Sequence, residues 1–251
     1  MNENPVLSVI VPVYNGAQFL AQAFENIARE CPAETEIIVV DDGSTDDSAR
    51  VAAAYSAIHR NARVISQVNA GPASARNAGI RAARSDILAF LDVDDLWPAA
   101  SLQLRLRHLQ NNARLDMVLG RVQVHRVLED DLSEPLVAFL IGAALYRRRV
   151  FDAVGMFDET LRFSEDTDWF LQTREKGIAL LRLEETTLIY RLHGGNMTNG
   201  KTFKQLDVLH ALKRSLDRRR RDASKIEAMP DLPPLQSQSP AIQPRENDDS
   251  K

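Results

Sequence analysis

The chain has 251 residues, 44% of them hydrophobic and 26% charged, which is enough apolar material for a sizeable core. Lys and Arg number 31 against 35 Asp and Glu, a net charge of −4 that argues against a dedicated nucleic-acid binder. One cysteine, Cys31, excludes an internal disulfide, and no run reaches the roughly 20 apolar residues of a membrane span.

The first half alternates regularly. Leu7–Val13 (LSVIVPV) is a β-branched apolar run that ends at Tyr14, Asn15 and Gly16, which predicts a buried strand and a turn. Residues 17–29 carry Phe19, Leu20, Ala23, Phe24 and Ile27 at helical spacing. Residues 36–40 (EIIVV) predict a second strand, stopped by Asp41, Asp42 and Gly43. Thr45 or Asp46 is positioned to cap a helix running to about Ile58. A third strand at 63–66, a small-residue helix at 72–83 and a fourth strand at 87–91 follow, the last ended by Asp92, Val93, Asp94 and Asp95.

The second half is less regular. The pattern predicts a helix over 99–110, strands over 116–125 and 137–145, and a short helix over 148–154. A helix over 165–176, a strand over 179–190 and a helix over 201–221 complete the set. From 222 to 251 the composition turns to Pro, Ser, Gln and charge, which predicts a disordered tail after a folded domain spanning 1–221. Strands apolar on both faces and separated by helices mean a mostly parallel sheet covered on both sides. Such α/β sheets bind ligands outside the carboxyl ends of their strands. Here three of the first four strands end in polar or acidic residues.

Two glycine-rich nucleotide signatures are missing: no G-x-G-x-x-G follows the first strand, and no G-x-x-x-x-G-K-[ST] occurs. The chemistry is acidic instead. In extended backbone Asp92 and Asp94 project to one face, and two close carboxylates repel unless a cation sits between them. Hard oxygen ligands suit Mg2+ or Mn2+, which keep positions open for phosphate oxygens. The competing reading is a solvated acidic turn. Asp41 and Asp42 form a second acidic strand end, suited to accept hydrogen bonds from a base or a ribose, or else to build the turn alone.

Residues 7–16 (LSVIVPVYNG), 40–48 (VDDGSTDDS), 69–80 (NAGPASARNAGI) and 90–95 (FLDVDD) resemble, in order and spacing, the inverting glycosyltransferase family 2 of GT-A fold. The resemblance covers residues 6–195 and is specific for the family but not for a donor or acceptor. It implies a GT-A fold, a Rossmann-like, mostly parallel sheet flanked by helices. It implies that Pro12, Tyr14 and Asn15 line a nucleotide pocket. Asp42 would contact the uracil or its ribose, with Asp41 beside it. Arg76 would meet a phosphate, the alternative being a solvent-facing helix residue. Asp92 and Asp94 match the family's D-x-D, with Asp94 the direct metal ligand and Asp92 on the ribose.

A second cluster, Phe163 to Trp169, resembles the family's "ED" motif. Inverting transfer is a single displacement, so one carboxylate must take the proton of the attacking hydroxyl. Asp166 is expected to be that base, with Glu165 its neighbour in the acceptor site. Asp168 is read as an acid at a helix N-terminus. Trp169 offers an aromatic face to a sugar or packs in the core. The segment from Gly155 to Glu159 is read as structural, though Asp158 and Glu159 are placed to touch the acceptor. His193 is a candidate second metal ligand, and Arg191 a candidate screen for the diphosphate. Two basic runs, 147–149 and 218–221, suit either anionic lipid headgroups or solvated helix faces.

The expected activity is metal-dependent transfer of a sugar from a nucleotide donor, a UDP-sugar, to a sugar, lipid-linked or protein acceptor. Cell-surface polysaccharide or glycoconjugate synthesis is the expected setting. A sugar-nucleotide-forming nucleotidyltransferase is the enzyme alternative, but it carries a glycine-rich basic loop that residues 14–20 lack. A catalytically inactive nucleotide-sugar-binding protein is the other alternative, opposed by the intact set Asp42, Asp94 and Asp166. The N-terminus shows no basic, apolar and small-residue sequence of a signal peptide, so a cytoplasmic location is expected, with peripheral contact at the inner face of the membrane.

Overall fold

The computed structural model describes residues 4–197 and 208–221. Four strands, β1 (Leu7–Val13), β2 (Thr35–Asp41), β3 (Ala62–Ser66) and β4 (Ile87–Phe90), pair in parallel in the order β3-β2-β1-β4. Every residue of β2 and β4 is buried, as continuous apolar strands require when helices cover both faces. Helices α1 (Ala17–Glu30), α2 (Ser48–Ile58), α3 (Pro72–Ala82) and α4 (Ser101–Asn111) occupy the spans that helical periodicity marks. Cys31, just after α1, is half-buried, and burial pushes its thiol up to about 12, as suits a small packing residue.

The sheet continues with β5 (Met117–Arg126), the short β6 (Asp131–Leu132) and β7 (Ala144–Arg147). β7 is antiparallel to both β4 and β5, and β6 is antiparallel to β5. β8 (Leu180–Leu192) runs parallel to β5, with register shifts around Arg121. The remaining helices are α5 (Arg148–Val154), α6 (Glu165–Glu175) and α7 (Val208–Arg221). The expected residues 201–207 of the last helix and the tail at 222–251 lie outside the described residues.

One predicted strand is mostly replaced. Residues 137–145 alternate too little, and only Ala144–Arg147 joins the sheet. Ile141–Ala143 form a 3-10 turn. The cause is the Gly142 carbonyl, which accepts hydrogen bonds from Trp97 Nε1 at 3.0 Å and Arg105 Nη1 at 3.2 Å and is lost to a ladder. Leu136 keeps a single bridge to Val122.

In the basic run at 147–149, Arg147 and Arg148 are partly buried and Arg149 is exposed. Arg147 donates to the carbonyls of Leu115 and Leu109, and Arg148 to those of Ile80, Ala83 and Ser85. Arg149 pairs with Asp116 at 2.6 Å. Arg147 and Arg148 thus satisfy orphan carbonyls where α4 and α3 end.

α3 lies directly on β1. A Cβ at Gly79 would meet Ile10 Cγ2 at 2.3 Å, too close for any side chain. Gly79→Ala should therefore cost about 1–3 kcal/mol of overpacking strain. Urea unfolding measures it, and a loss below about 0.5 kcal/mol, the range of ordinary surface changes, would contradict this packing.

Candidate active site

The strand ends are tied to one another by side chains. Asn15, at φ 51°, holds the turn after β1. Its Oδ1 accepts the N–H groups of Thr45 (2.7 Å) and Asp46 (3.3 Å), and its own N–H donates to Ser44 Oγ at 3.0 Å. Ser48 Oγ and Asp46 Oδ2 accept the first N–H groups of the α1 turn, from Gly16 and Ala17. The α1 N-terminus is thus capped by the loop after β2 rather than by its own residues. Asp46, expected as a cap for α2, serves both ends, since Ser48 N–H donates to its Oδ1 at 2.9 Å.

Asp41 is buried and accepts Ser44 N–H at 3.1 Å; it does not line the cleft, so its place beside the base is taken by a turn-forming role. Asp42 does line the cleft. Its carboxylate accepts three hydrogen bonds from the next loop: Gln67 Nε2 (2.7 Å), Ala70 N–H (2.9 Å) and Gly71 N–H (2.8 Å). A carboxylate has about four acceptor positions, so one remains for a nucleoside. Gly43, at φ 73°, is obligatory here, because a Cβ would strike Asn69 N at 2.7 Å.

Pro12, Tyr14 and Asn15 line the same cleft, and Tyr14 is 53% exposed, an open aromatic face at its mouth. At 2610 Å³ the cleft far exceeds the roughly 300–1,000 Å³ of a single ligand pocket, so it has room for two substrates.

At its centre stands Arg76. The side chain is 6% exposed, which overturns the solvent-facing alternative. Nη2 donates to both oxygens of Asp92, at 3.0 and 2.9 Å, and Nη1 donates to Glu165 Oε1 at 2.6 Å. The two terminal nitrogens of the guanidinium are thus held by two carboxylates, while Nε has no partner among the described residues. Burial works against its charge, but Asp92, Glu165 and Asp166 outweigh burial and push it up. One arginine thus joins the D-x-D turn to the N-terminus of α6, 89 residues away along the chain.

Asp94 faces His193, with Oδ2 and Nε2 3.1 Å apart, and Asn196 Nδ2 reaches the same oxygen at 3.3 Å. Burial and the charge of Asp92 raise the Asp94 carboxyl above its ordinary range, and the His193 bond opposes them. A divalent ion fits these two donors: adjacent ligands of an octahedral ion at ~2.1 Å lie about 3 Å apart, and the ion relieves the repulsion between Asp92 and Asp94. Among the described residues no group of three or more His, Cys, Asp or Glu converges, so any ion held by these two donors would need other oxygens to complete its shell.

Arg191 does not line the cleft. It is 8% exposed and grips the D-x-D turn from behind, with Nε on the Asp94 carbonyl, Nη1 on Gln22 and Nη2 on the Val93 carbonyl. Its guanidinium lies over Phe19 at 5.2 Å, and the His193 ring lies 4.8 Å from the same phenyl. Buried Asp95 accepts Arg191 N–H at 3.1 Å. None of Phe19, Gln22 and Asn196 stood out in the sequence.

Asp166 sits beside Glu165 on the first turn of α6. Its Oδ1 accepts Thr167 N–H at 2.6 Å, which leaves Oδ2 for a substrate. Burial first, and then the charge of Glu165, raise its carboxyl to about 7, although Arg76 opposes them. Glu165 and Asp166 both line the cleft. Trp169 does not: it is 1% exposed, stacked on Phe151 at 4.7 Å, and donates to the Gly155 carbonyl. An acceptor-binding role for Trp169 is thereby replaced by core packing. Asp168 is buried against Arg218 at 2.9 Å, and Asp158 pairs with Arg214 at 2.6 Å and is lowered to about 2 by Thr160 and Arg214. These pairs fasten α7 to the domain. Glu159 lines the cleft and accepts from Asn77, whose amide also bridges the Phe157 backbone.

The Glycosyl transferase family 2 sequence model matches residues 8–137, and the chain belongs to that family. A relative, the uncharacterized glycosyltransferase EpsJ of Bacillus subtilis (strain 168), is 31% identical over 217 residues, covering 77% of this chain and 63% of EpsJ. The minor teichoic acid biosynthesis protein GgaA of the same organism is 26% identical over 193 residues, 66% of this chain and 43% of that protein. The chain thus spans less than two thirds of the length of these relatives. Among solved structures, S. aureus TarS 1–349 in complex with UDP-GlcNAc superposes with a TM-score of 0.68 at 20% identity, over 83% of this chain and 65% of that one. Mannosyltransferase PcManGT of Pyrobaculum calidifontis, with GDP-Man and Mn2+, gives 0.61 at 18% identity, over 90% and 77%. The fold is GT-A-like, with a central, mostly parallel sheet flanked by helices.

Removing Arg76 leaves Glu165 buried without its cation. Arg76→Ala should cost about 3–5 kcal/mol at pH 8. The loss should shrink at pH 5, because Asp166, raised to about 7, is then protonated and has no charge attraction to Arg76 left to lose. Urea titrations at the two pH values measure the difference, and a pH-independent loss would contradict the clamp.

Proposed function

We propose that this chain transfers a sugar from a nucleotide-sugar donor, a UDP-sugar, to an acceptor hydroxyl with inversion. The carrying observation is that the Asp92–Asp94 turn and the Glu165–Asp166 pair face one cleft and are joined by Arg76. The TarS complex with UDP-GlcNAc supports a uridine donor, and the relative named for teichoic acid biosynthesis supports cell-surface polysaccharide or glycoconjugate synthesis. The acceptor is a sugar, lipid-linked or protein hydroxyl. The reading carries a cytoplasmic location with it, where a lone thiol stays reduced, with peripheral contact at the inner membrane face. Among the described residues no helix is long and apolar enough to cross a membrane.

In this reading Pro12, Tyr14, Asn15 and Asp42 receive the nucleoside at the ends of β1 and β2. Asp92, fixed by Arg76, meets the ribose. Asp94 and His193 would hold Mg2+ or Mn2+, which when bound supplies positive charge against the leaving diphosphate. Asp166 Oδ2 accepts the proton of the acceptor hydroxyl. The freed oxygen forms the new bond to the anomeric carbon from the opposite face, and the diphosphate leaves with the electron pair of the broken bond. No second carboxylate is needed as acid.

A base must be ionised to work, so kcat/KM should rise with pH through about 7, the value to which burial and Glu165 raise Asp166. Asp166→Asn should lower UDP-sugar turnover with Mn2+ at least ~100-fold and abolish that rise. The same substitution should raise Tm at pH 8. A carboxyl raised in the folded state favours folding at low pH and opposes it as pH climbs past about 7, and the amide removes that opposition. Unchanged turnover in Asp166→Asn would remove it from the base role.

Donor class is read independently by thermal shift, because a ligand that binds only the folded chain stabilises it in proportion to RT ln(1 + [L]/Kd). With Mn2+ present, UDP should raise Tm more than GDP at equal concentration. A larger shift with GDP would contradict the uridine assignment.

A further inference from the structure

Beyond Asp166 the cleft continues into a groove that the donor motifs do not occupy. Its floor is β5 and β8, and its wall is the segment 133–140. Phe139 on that wall meets Phe170 of α6, with ring centroids 5.3 Å apart, so the wall runs up to the helix that carries Asp166. Arg121 and Arg126 of β5, Arg182 of β8 and Arg162 before α6 line the cleft, together with Glu134, Glu159 and Glu184.

The arginines are not evenly neutralised. Arg121 pairs with Glu184, and Arg126 pairs with Asp131 at 2.7 Å. Arg162 stacks on the Phe163 ring at 5.9 Å, and neither it nor Arg182 forms an ion pair with a described residue. Arg182 is close enough to Arg174 to help lower its guanidinium, after partial burial and Arg219. Arg162 and Arg182 thus stand on the cleft wall as two cations that no described carboxylate pairs. The remaining wall is largely apolar, with Leu136 and Val137 each about two-fifths exposed, and offers little to the hydroxyls of a neutral sugar. Guanidinium groups, by contrast, present paired donors that match phosphate oxygens.

We propose that this groove receives an acceptor chain bearing phosphate ester groups, and that Arg162 and Arg182 select it by charge. The proposal rests on the glycosyltransferase reading, because it takes the groove next to Asp166 as the acceptor's. It specifies the acceptor more narrowly than that reading does. Covalent chemistry is unchanged: the hydroxyl that reacts belongs to the chain whose phosphates the arginines hold.

The test is isothermal titration of the full chain with a short glycerol-phosphate oligomer, with maltohexaose as neutral control and oligogalacturonate as a carboxylate control. The phosphate oligomer should bind, maltohexaose should not, and oligogalacturonate should bind at least about threefold more weakly. Arg182→Glu and Arg162→Glu should each weaken the phosphate oligomer about tenfold or more, the loss expected for a charge-assisted contact. Arg182→Lys should keep most of the affinity. UDP titration of the same variants reports that the cleft is folded, and Arg182→Gln serves as a milder substitution where the charge reversal disturbs it. Equal binding of the three oligomers, or unaltered phosphate binding in folded Arg182 and Arg162 variants, overturns the proposal. Failure of the wild type to turn over any nucleotide sugar strikes the glycosyltransferase reading instead.

Discussion

The Arg76 guanidinium is the constraint on which the rest of the cleft depends. A GT-A-like sheet sends its strand ends to one edge, but strand ends alone scatter acidic loops in solvent. Arg76 is delivered by α3, which Gly79 lets settle against β1. From there it reaches the D-x-D turn on one side and the start of α6 on the other. Carboxylates that would repel one another are thereby held together, and burial first, with the neighbouring Glu165 charge second, raises the Asp166 carboxyl. Stability and chemistry are in tension at this point, as is common where a fold stores charge for function.

Around Arg76 the loops restrain one another. Asn15 ties the end of β1 to the loop after β2, and Asp42 ties that loop to the start of α3. Arg191 binds the D-x-D turn to β8. Each loop is thus positioned by side chains from another, so the walls of the cleft are fixed by the fold itself. That preorganisation is what a site needs if binding energy is to act on the reacting bond rather than on ordering loops.

Much of this was legible in the sequence, and the reason is local. β1, β2 and β4 are short apolar runs stopped by polar residues, and both the alternation with helices and the placement of Asp42 and Asp94 at strand ends follow from it, whereas Asp166 stands out only through the resemblance of residues 163–169 to the family's ED motif. What escaped is non-local. Periodicity says that Trp169 lies on a helix but not which face meets the aromatic cluster of Tyr146, Phe151 and Phe157. A run of three arginines reads as surface charge until the helix ends that it caps, tens of residues away, are in view. Likewise Ile141–Ala143 leave the strand pattern because two side chains from the stretch around α4 claim one carbonyl. Asn196 and Phe19 carry no motif at all, and only the fold brings them beside Asp94 and His193.

One arginine holds the D-x-D turn and the Glu165–Asp166 pair together, and the ion and substrate proposed above would lie between them. The decisive measurement is a crystal grown with UDP and Mn2+, with anomalous scattering collected for manganese. It should show a manganese peak in contact with Asp94 and His193, the uridine beside Tyr14 and Asp42, and Arg76 still bonded to Glu165. A manganese peak away from Asp94, or Arg76 turned out to solvent with Asp166 on another face, would contradict it.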